Sequence, residues 1–107
     1  MFNHLREDFP TLRGENAPAY LDNACVTLKP DSVINSISDY YSMYPGCGGR
    51  SVHRYGTQVS RLVAEARNSI AKFINANSVS EVVFTRNTTH SINQIAKGMK
   101  WNKGDVI

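Results

Sequence analysis

The sequence predicts an α/β chain in which short strands feed longer helices. Three observations carry that prediction. Apolar positions recur at spacings of three and four from Thr57 to Ala76, strand-forming residues cluster at Ala19–Leu21 and Val82–Thr85, and turn residues separate the segments. Parallel strands joined by helices need cover on both faces, so the expected architecture is a sheet layered between helices.

Taken in order, residues 3–9 predict a short helix ended by Pro10, and Arg13-Gly14-Glu15-Asn16-Ala17-Pro18 a loop. Ala19-Tyr20-Leu21 reads as a strand and residues 23–30 as irregular chain. Asp31 has the side chain of an N-cap for a helix through Tyr44, with Ile34, Ile37, Tyr40, Tyr41 and Tyr44 on one stripe and Pro45-Gly46 as its stop. Gly46-Cys47-Gly48-Gly49-Arg50-Ser51 is expected to be a mobile loop, because its glycines carry no side chain to pack it down.

The helix from Thr57 to Ala76 is amphipathic and must pack on something. Ser78 and Glu81 have capping-box spacing, but Val82-Val83-Phe84-Thr85 follows at once and leaves room for a single turn. Arg86-Asn87-Thr88-Thr89 is a tight connection into a helix from Thr89 to Lys97, with Gly98 near its stop. Val106-Ile107 opens a further apolar run. A βαβ unit interrupted there is expected of the N-terminal portion of a longer domain.

Composition narrows the function classes. At 107 residues, 41% hydrophobic and 20% charged, the chain is one small domain or a piece of a larger one, which excludes collagen-like, low-complexity and charge-driven disorder. A formal charge of +3 names no partner by itself. Residues 1–8 lack a signal pattern and no apolar stretch reaches the roughly 18 residues of a membrane span, so a cytoplasmic protein with no membrane partner is expected. Cys25 and Cys47 define neither a disulfide framework nor a zinc site, and His4, His53 and His90 lack ligand spacing, so no metal is expected. The tyrosines between Tyr40 and Arg54 follow helical spacing rather than forming a stacking platform, which argues against nucleic acid.

Chemistry is expected where Val82–Thr85 runs into the next helix. The first N–H groups of a helix have no intrahelical acceptor, and they point at one spot suited to an anion such as phosphate. Thr88 and Thr89 would add hydroxyl donors; they also fit plain N-caps, and the pattern leaves both readings open. The Gly46–Arg50 segment lacks the G-K-[ST] ending of a phosphate loop. His53-Arg54 is a cationic pair suited to a carboxylate or phosphate, with solvated surface as the alternative. No orienting partner for Cys25 and His53 is identifiable, so no nucleophile–base set is assigned.

The motifs Tyr20-Leu21-Asp22-Asn23-Ala24, Lys29-Pro30, Val52-His53-Arg54, Phe73-Ile74-Asn75-Ala76 and Val83-Phe84-Thr85-Arg86-Asn87-Thr88-Thr89 with Ile92-Asn93 resemble, in order and spacing, the N-terminal region of cysteine desulfurases. The resemblance covers nearly the whole chain and is nearest the SufS-like branch of the class V aminotransferases. It implies pyridoxal 5′-phosphate (PLP) in the type I aminotransferase fold, with a large α/β domain, a smaller domain and active sites at a homodimer interface. It places residues 1–30 in the small domain and the pocket-lining loop, and residues 31–107 at the start of the large PLP-binding domain. The implied reaction converts L-cysteine to L-alanine and leaves sulfur as an enzyme persulfide, for a sulfur-acceptor protein and iron–sulfur cluster assembly.

Carried over by position, Thr88 and Thr89, with Asn87 beside them, bind the cofactor phosphate. Asn23, Ala24 and Cys25 line the substrate pocket, and His53 and Arg54 stand near its entrance toward the dimer partner. The Schiff-base lysine, the aspartate facing the pyridine nitrogen, the stacking histidine, the carboxylate-binding arginine and the persulfide cysteine lie further along in this family. No catalytic residue is therefore assigned, neither Lys97, Lys100 and Lys103 nor Cys47 is matched to those roles, and the 107 residues alone are expected to be inactive.

Three departures qualify the resemblance. The family commonly reads G-T-T-E where this chain has Asn87-Thr88-Thr89-His90; Asn tolerates the left-handed backbone that Gly adopts, and a carboxylate is lost at His90. Cys25 replaces a small residue, and the Gly46–Ser51 loop is longer. The alternatives that remain are another class V PLP enzyme (selenocysteine lyase, aminotransferase or epimerase-like) and a non-catalytic anion- or partner-binding module.

Overall fold

A computed structural model describes residues 3–106. Among them lie helices α1 (Asn3–Arg6), α2 (Asp31–Met43), α3 (Arg54–Phe73) and α4 (Thr88–Gly98), with single 3₁₀ turns at Pro10–Leu12 and Val79–Glu81. The chain forms two compact units, one ending at Val63 and the other beginning at Ala64. No strand occurs among the described residues, at Ala19–Leu21, at Val82–Thr85 or at Val106, so the expected sheet is not seen in them, and Ile107 lies outside them. A strand exists only by pairing. Val82 has strand backbone, φ −100° and ψ 115°, without a ladder to join.

In the first unit, α1 ends at Arg6 rather than running to residue 9. Asp8 N–H donates to Leu5 C=O (3.3 Å) and Phe9 N–H to Arg6 C=O (3.1 Å), so the chain tightens into turns. Pro10 then opens the 3₁₀ turn instead of merely ending a helix, because its fixed φ and missing N–H suit a first helical position. Asp31 does not cap α2 either. Pro30 holds the cap position and Asp31 is the first helical residue, its carboxylate paired with Arg13 and its N–H donating to Asp8 C=O at 2.8 Å. Arg13 Nε donates to Glu7 C=O at 2.7 Å, which ties the N-terminal segment to the start of α2.

α2 ends at Met43, so Ile34, Ile37, Tyr40 and Tyr41 of the expected stripe lie on the helix while Tyr44 is its C-cap. Tyr40 makes edge-on contacts with Tyr41 and Tyr44 at centroid distances of 4.9 and 6.1 Å. The Gly46–Ser51 loop, expected to be mobile, keeps Cys47–Arg50 exposed and is tethered at Gly46 and Gly49. Tyr40 Oη donates to Gly46 C=O at 3.2 Å, and Gly49 N–H donates to the Ser60 hydroxyl of α3 at 2.8 Å. Missing side chains permit this, because they let backbone lie directly on backbone.

In the second unit, α3 stops three residues before the expected Ala76. Asn75 adopts φ 54°, its N–H donates to Lys72 C=O (3.2 Å), and Ala76 N–H donates to Ala71 C=O (2.9 Å). That pair of bonds is a Schellman ending, with Asn in the left-handed position usually held by Gly. Ala71 and Val82, at 5% and 9% exposure, are the buried apolar residues among those described, while Phe73 is 91% exposed. The Arg67 guanidinium lies 5.4 Å from the centre of the Phe84 ring, which fastens the extended segment to α3. That segment leads directly into α4.

Candidate functional site

The start of α4 is built by a knot of short polar side chains. The Asn87 carboxamide oxygen accepts the His90 N–H at 2.9 Å, and the Asn87 carbonyl accepts the Ser91 N–H at 3.1 Å. Two hydroxyls grip the same carbonyl, Thr85 Oγ1 at 3.3 Å and Ser91 Oγ at 3.2 Å, and they lie 2.6 Å from each other. The cap is therefore Asn87, not Thr88 or Thr89. Its backbone is extended, φ −169° and ψ 173°, so the left-handed conformation that Asn tolerates is not used. An N-cap needs extended backbone, which any residue supplies.

This division of labour fixes what α4 offers. Asn87 takes the third N–H of the helix, and the N–H groups of Thr88 and Thr89 have no intrahelical acceptor. Both residues are exposed, with their hydroxyls free of the capping knot. His90 stands where the family commonly has Glu and still serves as an acceptor, since its Nδ1 receives the Arg86 N–H at 3.4 Å. The result is an open, electropositive helix start with two backbone and two hydroxyl donors side by side.

The other expected site residues lie in the first unit. His53 immediately precedes α3; its Nδ1 accepts the Gly56 N–H at 3.4 Å and its carbonyl the Thr57 N–H at 3.0 Å. This explains why α3 begins at Arg54 rather than Thr57: His53 satisfies the first turn. Its ring also meets Tyr55 edge-on at 6.2 Å. Asn23, Ala24 and Cys25 form a turn in which Cys25 and Val26 N–H both donate to Asp22 C=O, at 3.2 and 3.1 Å. Asn23 lines a shallow cavity with Phe9, Leu12, Tyr20, Thr27 and Leu28. No hydrogen bond or ring contact among the described residues joins Asn23–Cys25 to His53–Arg54.

Cys25 and Cys47 are free and exposed. No group of three or more His, Cys, Asp or Glu able to hold a metal occurs among the described residues, and no helix there is long and apolar enough to cross a membrane. Sequence reasoning missed Thr85, Ser91, Gly56 and Ser60. Their signals were present as spacings, a Thr two before and a Ser four after Asn87, and a Ser one helical turn after Gly56.

Comparison with known proteins defines the class. Residues 19–107 match the aminotransferase class-V family, and the chain belongs to it. The particular relatives are narrower in kind. A Streptomyces coelicolor protein described as a probable cysteine desulfurase is 38% identical over 101 residues, covering 91% of this chain and 24% of the relative. A Methanothermobacter thermautotrophicus protein of the same description is 38% identical over 103 residues, covering 96% and 25%. A Plasmodium berghei protein whose name includes SufS is 33% identical over 94 residues, covering 88% and 18%. The chain thus spans about a quarter of the length of the first two relatives.

Proposed function

We propose that the whole protein to which these residues belong is a PLP-dependent cysteine desulfurase. It takes sulfur from L-cysteine as an enzyme persulfide and releases L-alanine. The observation that carries this reading is the start of α4, where Asn87 caps the helix and leaves the Thr88 and Thr89 N–H groups and hydroxyls open. Those donors fit a phosphate dianion: they are adjacent, exposed and at the positive end of an eleven-residue helix. PLP, when bound, supplies the electron sink that cleavage of the cysteine carbon–sulfur bond requires.

On this reading Thr88 and Thr89 anchor the cofactor phosphate, and Asn87 holds them in register. Asn23, Ala24, Cys25, His53 and Arg54 line the substrate pocket and its entrance, with residues 1–30 in the small domain and residues 31–107 opening the large one in the type I sheet-and-helix fold. The lysine that bonds the cofactor and the cysteine that carries sulfur lie outside these residues, and the chain alone is inactive. The whole protein is a cytoplasmic homodimer that passes sulfur to an acceptor protein for iron–sulfur cluster assembly.

Thr89→Val in the full-length protein tests the phosphate assignment. It removes one hydroxyl donor and keeps the side chain's shape, so retention of PLP after dialysis, read by absorbance, should fall about tenfold. Unchanged retention overturns the assignment. Turnover of L-cysteine against selenocysteine and other amino acids, followed by alanine release, tests the substrate. Preference for another amino acid places the enzyme elsewhere in class V.

A further inference from the structure

The start of α3 carries a feature that the phosphate site does not explain. The Ser60 hydroxyl accepts the Gly49 N–H at 2.8 Å and donates to the Gly56 carbonyl at 2.8 Å. One side chain therefore bridges the glycine-rich loop and the first turn of the helix. Around it the chain leaves no room for a side chain at Gly46 or Gly56. An ideal Cβ at Gly46 would lie 2.9 Å from Gly56 N and Tyr55 C, and one at Gly56 would lie 2.5 Å from Ser51 Cβ and 2.6 Å from Ser51 O. Gly49 takes φ +80°, the left-handed backbone that brings its N–H to Ser60.

The same turn orients His53. Gly56, wedged between Gly46 and Ser51, donates its N–H to His53 Nδ1. A ring whose Nδ1 accepts holds its proton on Nε2 when neutral, so that nitrogen is left as a donor. We propose that Ser60, with Gly46 and Gly56, forms a clasp that positions His53 and Arg54 at the mouth of the substrate pocket. Ser60 is a positioning residue: it acts through Gly49 and Gly56 on the setting of His53. This inference rests on the reading of His53 and Arg54 as pocket residues.

Ser60→Ala in the full-length protein tests it. The substitution suits a helix, Gly56 C=O keeps its place in the helical ladder, and the Gly49 N–H, which is exposed, passes to water, so the fold survives while the loop is released. The loop carries its own reporter, since trypsin cleaves after Arg50. Cleavage there should quicken by about tenfold, the loss of roughly one to two hydrogen bonds. KM for L-cysteine should rise by a similar factor with kcat and PLP retention little changed. Ser60→Thr keeps the hydroxyl and should restore both readings. Cleavage at the wild-type rate in Ser60→Ala overturns the clasp. Faster cleavage with unchanged KM overturns its coupling to the pocket. If the wild-type protein turns over no L-cysteine, the functional reading falls and with it the coupling, while the cleavage rates still decide the clasp.

Discussion

Two helix starts in this chain are built on opposite principles. At α3 the backbone of Gly46 lies against Tyr55 and Gly56, His53 caps the first turn, and Gly56 is buried. At α4 the capping is done from one side by Asn87 and the clustered hydroxyls of Thr85 and Ser91, and Thr88 and Thr89 stay exposed. Both starts have a positive dipole end and orphan N–H groups. Only the first has another stretch of backbone packed across it. On the proposed reading, a helix N-terminus offers an anion site when its cap leaves the first N–H groups open, and forms a structural joint when another stretch of backbone lies across it.

The largest expected effect comes from forcing the covered start apart. Gly56→Ala would normally help a helix interior by about 1 kcal/mol. Here the added carbon meets Ser51 Cβ at 2.5 Å and Ser51 O at 2.6 Å, contacts that no real Cβ makes. Overpacking costs about 1–3 kcal/mol, and at contacts this close it outweighs the helix gain that partly offsets it, so the net change is destabilising. Thermal unfolding of the full-length protein should show a lower Tm, with trypsin cleavage after Arg50 accelerated. An unchanged or higher Tm breaks the contrast, because it would mean that α3 starts as openly as α4.

Next in size is removal of the open start's cap. Asn87→Ala leaves the His90 N–H without its acceptor and should cost about 1 kcal/mol, with weaker PLP retention because Thr88 and Thr89 are no longer held in register. Asn87→Gly should cost only a few tenths of a kcal/mol. A loss as large for Gly as for Ala would show that the side-chain bond, rather than the backbone setting, holds the Thr88–Thr89 pair.

Much of this was legible in the sequence, and the failures share one cause. The 3.6-residue periodicity located α2 and α3, and the tight connection after Thr85 located the start of α4 to within a residue, because both signals are local. The helix ends were misplaced where a cap depends on one residue's backbone, as at Asn75 and at His53. The anchoring of the glycine-rich loop was not legible because a glycine can signal freedom or close approach, and one contact that shows the latter joins Gly46 to Gly56, ten residues apart. The expected strands are not seen among the described residues because a strand exists only by pairing: Val82 has the dihedral angles but no partner strand there.

The smallest prediction sharpens the comparison by using the same substitution with the opposite sign. Gly98 is the last residue of α4, its φ is not positive, and a Cβ placed on it meets nothing within 4 Å. No contact there requires glycine, so Gly98→Ala recovers backbone entropy and should stabilise by about 0.5 kcal/mol, reduced from the interior value by its place at the helix end. The expected result is a Tm raised by a degree or two beside a lowered one for Gly56→Ala. Because propensity favours Ala at both sites, a difference in sign isolates the one term that differs, the backbone of Ser51 and Gly46 pressed against Gly56. Equal signs would mean that the loop yields to a methyl group and that the α3 start is held by the Ser60 hydroxyl alone.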